Sequence, residues 1–288
     1  MLQEKKLHAF FRSRTKTVLT ASLLIVFGPV FRQNPPQNQK SYPGESRAEK
    51  PVSAKAAGTP ESANSPLLSA EPFRVGEVLN YRLTWAVFLN AAAVQFSVVE
   101  SRDLFGTATW HFRASAHTQA PLRSLAEIDD QFDSYAETAS LESRQYETYL
   151  NELGDRENKI LQLVSTNLPR VNRTPTILVE PQTRDPLAAL YRLRTVDWKR
   201  TREFHAPVYD GEDLYEMSAR LESPTEPVSV YGRSVEATRI SVHLFRAGQQ
   251  SRTKCSIWFS QDEARVPVLI EADVPYGRVR AELISKVE

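Results

Sequence analysis

At 288 residues, the chain is long enough for one large domain or two small ones. Hydrophobic residues make up 41% and charged residues 25%, which is the composition of a globular protein rather than of a disordered chain. The 36 basic and 35 acidic side chains leave a net charge of +1, so the chain lacks the basic surface that nucleic-acid binding requires. This balance argues against a nucleic-acid partner.

The first 31 residues have the charge order of an export signal. A basic stretch, residues 5–16, precedes a largely apolar run, residues 18–31. The apolar length of about 15 residues is below the ~20 of a membrane-spanning helix, and no small-x-small cleavage site directly follows it, the tripeptide 54–56 being too far downstream. Residues 1–31 are therefore either a cleaved signal peptide or a short uncleaved membrane anchor. Both interpretations predict an exported protein, periplasmic or anchored with its domain facing the periplasm.

Residues 32–71 differ in composition from the rest of the chain. Six prolines punctuate a stretch rich in Ser, Ala, Gln and Asn, with few large apolar residues. Such a segment cannot bury enough apolar surface to offset its ordering entropy. We expect a disordered Pro/Ser/Ala-rich tether.

From residue 72 onward the dominant period of the sequence is two. Apolar and polar residues alternate over residues 79–85, 108–116, 240–244 and 279–283, which is typical of strands with one buried face. Glycine-containing turn signals separate these runs. Residues 72–288 are thus predicted to form an all-β domain: a mostly antiparallel, curved or barrel-like sheet of roughly ten to twelve strands.

One helix is expected within this series. Asp185 stands where an N-cap residue would, Pro186 follows at the first helical position, and Leu187, Leu190 and Arg194 continue at helical spacing. A single short helix would plug or flank the sheet. The only cysteine, Cys255, lies in a strand-like run and is interpreted as a small apolar residue of an inner strand face.

Four blocks of residues carry a resemblance to a known family. They are 73–81 with Trp85, 185–191 with Arg194, 207–211, and 257–262 with 265–268, Glu271 and 275–277. In this order and at this spacing, the sequence resembles the bacterial exported proteins catalogued as domain of unknown function 3108, over about residues 73–287. The resemblance implies a β-rich fold and an envelope location. It implies no established reaction and no catalytic residues.

The polar clusters of the sequence do not match a catalytic or metal motif. Glu127, Asp129, Asp130 and Asp133 form the densest acidic group, but it lacks the turn glycine of a calcium loop and is interpreted as a solvated outer face. His111 and His117 would share the polar face of one strand without converging zinc ligands. We therefore predict a protein that is not an enzyme, with no cofactor, no metal and no catalytic residue.

Two functions remain after this elimination. A curved sheet could bind or carry a lipid or other apolar ligand on its concave face, because such faces are common ligand sites. The predicted ligand-binding residues are Tyr81, Trp85, Trp110, Phe112 and Trp258. Alternatively, the domain is a structural or interaction module that docks an envelope partner protein. The two functions differ in what they require of the interior: a ligand carrier needs a cavity between the inward aromatic side chains, whereas an interaction module does not.

Overall fold

The structure is a computed structural model that describes residues 71–165, 174–246, 249–250, 254–274 and 277–287. The predicted signal or anchor, residues 1–31, lies outside the described residues, and so does the predicted tether apart from Glu71. The described part contains fourteen β-strands, one α-helix and one short 3-10 helix. The all-β class with a single helix is therefore confirmed.

The strands vary widely in length. In chain order they are β1 (Val78–Trp85), β2 (Phe88–Leu104), β3 (Thr107–Thr118), β4 (Asp129–Glu137), β5 (Ser143–Glu152), β6 (Asp155–Val164), β7 (Thr176–Leu178), β8 (Glu203–Tyr209), β9 (Leu214–Val230), β10 (Arg233–Arg246), β11 (Gln249–Gln250), β12 (Lys254–Ser260), β13 (Pro267–Val274) and β14 (Gly277–Val287). The 3-10 helix, Leu122–Ser124, lies between β3 and β4, and α1 (Pro186–Thr195) lies between β7 and β8.

All fourteen strands belong to one sheet. Its order is β7-β6-β5-β4-β3-β2-β1-β14-β13-β12-β10-β9-β8, with β11 paired to β10. Every neighbouring pair is antiparallel except β6 and β7, which are parallel. Because β1 pairs with β14, the first and last strands lie together in the middle of the sheet, and β7 and β8 lie at its two ends.

The predicted count of ten to twelve strands is wrong, because the described residues alone form fourteen. β7 has three residues and β11 has two, and neither is long enough to show a period of two. The sheet is not closed into a barrel, since β7 and β8 at its two ends are not paired with each other.

The segment just before α1 links the two halves of the sheet. The N–H of Arg184 donates to the carbonyl of Pro207 at 3.0 Å, and the N–H of Tyr209 donates to the carbonyl of Arg184 at 2.9 Å. On the other side, the N–H of Ser143 donates to the carbonyl of Thr183 at 3.0 Å. This segment therefore lies between β5 and β8, so the sheet curls until its halves approach each other around α1.

The helix α1 begins as the sequence predicts. The Oδ1 atom of Asp185 accepts hydrogen bonds from the N–H groups of Leu187 at 2.9 Å and Ala188 at 3.0 Å, and Pro186 occupies the first turn. All ten residues of α1 are buried, including two arginines. We call the side of the sheet that contacts α1 the inner face and the opposite side the outer face.

The interior contains one large apolar cluster and one small one. The large cluster joins the inner face of the sheet to α1. The small cluster lies on the outer face, where the far half of the β9–β10 hairpin folds over β12 and β13. Its buried members are Val230, Ala237, Trp258, Val268 and Leu269.

Candidate functional site

The inner face was the predicted ligand site, and the structure places Tyr81 and Phe112 fully inside it. Phe112 is stacked on Tyr191 of α1, with 3.9 Å between ring centroids and 9° between planes. The hydroxyl of Tyr81 donates to the carbonyl of Pro267 at 2.7 Å, and its ring packs against that of Phe96 in a T-shaped arrangement, with 5.2 Å between ring centroids. Both aromatic side chains are thus occupied by contacts within the protein.

Trp110 and Trp85 pack against the same cluster but are only partly buried. The ring of Trp110 meets Phe73 edge-on at 5.6 Å, and its indole N–H donates to Oε1 of Glu71 at 3.2 Å. Trp85 is stacked on Phe88 at 6.3 Å, beside the β1–β2 turn. Trp110 therefore adjoins Phe112 through their shared neighbour Phe73, whereas Trp85 lies at the margin of the inner face.

Trp258 does not join the other four predicted residues. It points to the outer face, where it is buried in the small cluster, and its indole N–H donates to Oε1 of Glu226 at 2.8 Å. Its strand is buried on both faces, because its neighbours Ile257 and Phe259 belong to the large cluster. The five predicted side chains consequently do not line a single surface.

A buried ion pair holds the C-terminal end of α1. The guanidinium of Arg194 donates to both carboxylate oxygens of Glu77, at 2.6 and 2.9 Å, and the Arg194 side chain is 1% exposed. Its Nη2 also donates to the carbonyls of Pro72 at 3.0 Å and Ala264 at 2.8 Å. These bonds satisfy the charges that burial would otherwise make costly.

Aromatic rings flank this ion pair. The guanidinium carbon of Arg194 lies 5.4 Å from the ring centroid of Phe73 and 5.2 Å from that of Tyr191, within cation–π range. Phe73 in turn meets Tyr191 and Phe112 edge-on at 5.1 and 5.4 Å. Arg194 therefore joins α1, the segment before β1 and the β12–β13 turn into one unit.

The residues of the family blocks meet at this unit, although they are far apart in sequence. Phe73 and Glu77 come from the first block, Tyr191 and Arg194 from the second, and Arg265 from the fourth, where its guanidinium donates to the carbonyl of Val196 just after α1. Sequence reasoning singled out these residues without predicting that they touch. Their contacts hold α1 against the sheet.

A second polar cluster surrounds the start of α1. The Oδ2 atom of Asp185 accepts hydrogen bonds from the hydroxyls of Ser134 at 2.5 Å and Ser143 at 2.6 Å. Burial raises the pKa of Asp185 above its ordinary value, against the opposing effect of these hydrogen bonds. All its partners are parts of β4, β5 and α1, so the carboxyl group fixes the helix to the sheet.

Asp210 shapes the β8–β9 turn. Its Oδ1 atom accepts hydrogen bonds from the N–H groups of Glu212 and Asp213, both at 2.8 Å. Gly211 has a φ of +103°, and a Cβ at this position would lie 3.6 Å from the ring of Tyr146. The glycine therefore serves the turn conformation, and the ring of Tyr146 closes over it.

His111, His117, Asp129 and Asp133 lie on the outer face of β3 and β4, but Asp133 and His111 are buried rather than solvated. Asp130 points the other way and is buried on the inner face, on the same side as Phe132. Oδ1 of Asp133 lies 2.5 Å from Nε2 of His111 and accepts from Nε of Arg113 at 2.7 Å, and its Oδ2 accepts from Gln131 at 2.6 Å. Burial would raise the pKa of Asp133, but the hydrogen bonds from His111 and Arg113 bring it below its ordinary value. The expectation of a solvated outer face is wrong for Asp133, because neighbouring long side chains cover it, and for Asp130, because it lies on the buried inner face.

The surroundings of His111 are those of a structural histidine. Its ring is stacked on Tyr135 at 4.4 Å, and its Nδ1 lies 3.7 Å from Oε1 of Glu100. His117 separately contacts Asp129 at 2.9 Å, and Arg123 bonds both oxygens of that carboxylate at 2.9 and 2.8 Å. The two histidines therefore serve different cross-strand pairs.

Cys255 lies on the inner face of β12 and is buried, as the sequence predicts. Burial raises the pKa of its thiol to about 12. The thiol is therefore protonated at neutral pH, which makes it a poor nucleophile.

No helix within the described ranges is both long and apolar enough to cross a membrane.

Comparisons with other proteins point to a family without an assigned role. The family model for a protein of unknown function, DUF3108, matches residues 80–284. No curated protein matches the sequence significantly.

Several solved structures resemble the fold at low sequence identity. A β-barrel-like protein of domain of unknown function 1849 from Brucella abortus is 10% identical, with a TM-score of 0.46 over 74% of this chain and 97% of that chain. A proposed lipoprotein from Parabacteroides distasonis is 9% identical, with a TM-score of 0.35 over 74% and 96%. A protein of Bacteroides fragilis proposed to be exported is 10% identical, with a TM-score of 0.35 over 75% and 98%.

Proposed function

The chain belongs to the DUF3108 family of proteins of unknown function, and we propose that its domain is a non-enzymatic interaction module of the cell envelope that docks a partner protein through its outer surface. The partner would meet a rigid scaffold, because α1 ties both halves of the sheet together. This proposal places the function outside the curled sheet and not in its interior.

One observation carries the proposal: α1 occupies the inner face. All ten of its residues are buried, and Tyr191 is stacked directly on Phe112, at the centre of the surface predicted to hold a ligand. Interactions of this kind belong to a packed core, whose side chains are in contact with one another. The filled inner face favours the interaction module over the carrier of a lipid or other apolar ligand.

The carrier remains the competing function, and retained ligand distinguishes the two. Native mass spectrometry of the full-length protein purified from membranes in mild detergent would measure the mass of the intact particle, and solvent extraction would identify any lipid released. For an interaction module we expect the mass of the polypeptide alone once detergent is removed. A stoichiometric apolar molecule that survives purification would contradict the proposal.

We also propose that the domain is exported, on the basis of the basic-then-apolar order of residues 1–31. A reporter enzyme that is active only outside the cytoplasm, fused after Glu288, should be active in intact cells. Replacing the lysine and arginine residues within 5–16 by uncharged residues should reduce this reporter activity. Strong activity of a cytoplasm-only reporter at the same junction would contradict export.

A further inference from the structure

The most exposed apolar surface of the domain lies at the β1–β2 turn. The side chains of Val87 and Leu89 are 83% and 79% exposed, the highest values of any large hydrophobic residue that the structure describes. Trp85 and Phe88, stacked at 6.3 Å, form the base from which they project. We call residues 85–89 the apolar tip. Water-exposed apolar clusters of this kind mark contact with a partner or a membrane.

The apolar tip is held in place by the hairpins on both sides. Trp85 pairs with Phe88 across the turn and with Val279 of β14 on the other side. The N–H of Ala86 donates to the carbonyl of Arg278 at 3.3 Å, and a Cβ at Gly277 would lie 3.3 Å from the Cβ of Ala86. The exposed side chains are thus presented by a supported turn.

The charge pattern indicates what the tip contacts. Residues 83–99 contain no charged side chain, and these seventeen residues form the longest uncharged stretch of a chain that is 25% charged. Protein interfaces are ringed by polar and charged residues, whereas surfaces that enter the lipid interface expose apolar and aromatic side chains. Charges lie instead on the adjoining β13–β14 hairpin, where Arg278 pairs with Asp273 at 2.9 Å. The apolar and aromatic composition of the turn itself therefore favours lipid over a protein partner.

The length of chain that precedes the domain allows this contact. β1 has eight residues, so its two ends are about 23 Å apart at ~3.3 Å per residue, and the tip lies at the end opposite to residue 78. The predicted tether, residues 32–71, has 40 residues, and a flexible chain of that length has a root-mean-square span of roughly 35 Å. An anchor in residues 1–31 would keep the tip at high local concentration beside the bilayer.

We propose that the apolar tip inserts into the interface of a lipid bilayer, with Val87 and Leu89 entering the acyl region and Trp85 and Phe88 lying near the headgroups. This inference goes beyond the proposed function, because it names a membrane contact that is separate from the partner-protein surface. If it is correct, the domain itself contacts the bilayer, in addition to being held near it by the N-terminal segment.

A single label at the tip tests the proposal in the full-length protein. Cys255 is buried, so Val87→Cys adds the one accessible thiol among the described residues, and that thiol can carry an environment-sensitive fluorophore. The probe is a vesicle of phosphatidylethanolamine and phosphatidylglycerol, with or without nitroxide groups on the acyl chains. Leu178→Cys is the matched control, since Leu178 is an exposed apolar residue of β7, with 61% exposure.

We expect the label at position 87 to shift to the blue when vesicles are added and to be quenched by nitroxide lipid several-fold more than the label at position 178. Adding Leu89→Asp to the Val87→Cys protein should remove most of this quenching, and circular dichroism would verify that the fold is retained. An unshifted label at position 87, or equal quenching at both positions, would overturn the proposal.

A blue shift without nitroxide quenching would also overturn it, because it would show that the tip contacts protein, either a second copy or a partner. A negative result for membrane insertion of the apolar tip is distinguishable from a negative result for the proposed function. Tip insertion is read from labels in intact vesicles, whereas the proposed function fails if protein free of vesicles retains an apolar molecule.

Discussion

At the scale of single residues, the most consequential contact is the buried pair of Arg194 and Glu77. Removing one member of a buried ion pair leaves an uncompensated charge, which typically costs ~3–5 kcal/mol. The Glu77→Gln protein should therefore lose about that much unfolding free energy in urea titration. The control is Arg200→Gln, because Arg200 is exposed and its Nε lies 3.6 Å from a carboxylate oxygen of Asp197. This substitution should change the unfolding free energy by ~1 kcal/mol or less. Equal, small effects of both substitutions would show that the pair does not anchor α1.

Asp130 gives the domain a pH dependence of predictable sign. Burial raises its pKa to about 6 from the ordinary 3.8, and the hydrogen bond from the N–H of Asn151 only partly opposes this. Because the folded protein holds this proton more tightly than the unfolded chain, Asp130 stabilises the fold below pH 4. That contribution is lost as the pH rises through about 6.

The Asp130→Asn substitution isolates this contribution, since an asparagine can still accept from Asn151 and does not titrate. Relative to the parent protein, the variant should gain roughly 2–3 kcal/mol of unfolding free energy between pH 4 and pH 7. Carboxylates with a lowered pKa have the opposite effect on the pH dependence of stability. Asp129 is one of them, because its bonds to Arg123 and His117 lower its pKa to about 2. Such effects are the same in the variant and the parent protein, so they cancel in the difference. A difference that stays constant between these pH values would contradict the assignment.

At the scale of elements, the start of α1 depends on Asp185. In the Asp185→Ala protein the helix loses its N-cap, and the buried hydroxyls of Ser134 and Ser143 lose their acceptor. A lost cap costs ~0.5–2 kcal/mol and a buried unsatisfied polar group ~1–3 kcal/mol, so we expect a loss of about 2–4 kcal/mol. Urea titration measures it, with Asp197→Ala as the control, because Asp197 caps an exposed turn through Lys199. A loss below ~1 kcal/mol would contradict the role of Asp185.

The sequence was sufficient to predict the elements whose residues follow a local rule. Alternation predicted β1, β3 and β14, and the cap and proline before Leu187 predicted α1 with its correct start. β7 was missed because three residues cannot display a period. It pairs in parallel with β6, and such pairing depends on contacts distant in sequence.

The candidate site could be predicted less well, because its properties depend on which elements meet. Alternation correctly placed Tyr81 and Phe112 on the inner face, but it could not show that α1 would lie against them. Trp258 was predicted with the other aromatic residues but lies on the outer face, and no local feature of the sequence indicates that the β9–β10 hairpin covers it. For the same reason, the burial of Asp133 follows from side chains of two strands and not from its own surroundings in the sequence.

At the scale of the whole molecule, the fold is a single curled sheet that a buried helix holds in shape. α1 contacts the inner face through Phe112, its cap fixes it to β4 and β5, and Arg194 fixes it to the segment before β1. An arrangement with so many contacts through one helix should unfold as a unit. Among the described residues, it also leaves the outer surface and the apolar tip exposed to other molecules.

The most direct test of this account is the unfolding free energy of Phe112→Ala, measured together with uptake of a fluorescent lipid analogue by the parent protein. In a packed interior, the substitution should cost ~3–5 kcal/mol by opening a cavity, while Phe112→Leu costs less and Phe105→Ala, in the exposed β2–β3 turn, has little effect. The parent protein should take up no analogue. A cost below ~1 kcal/mol for Phe112→Ala, together with saturable uptake by the parent protein that the substitution abolishes, would contradict the account and establish the inner face as a ligand site.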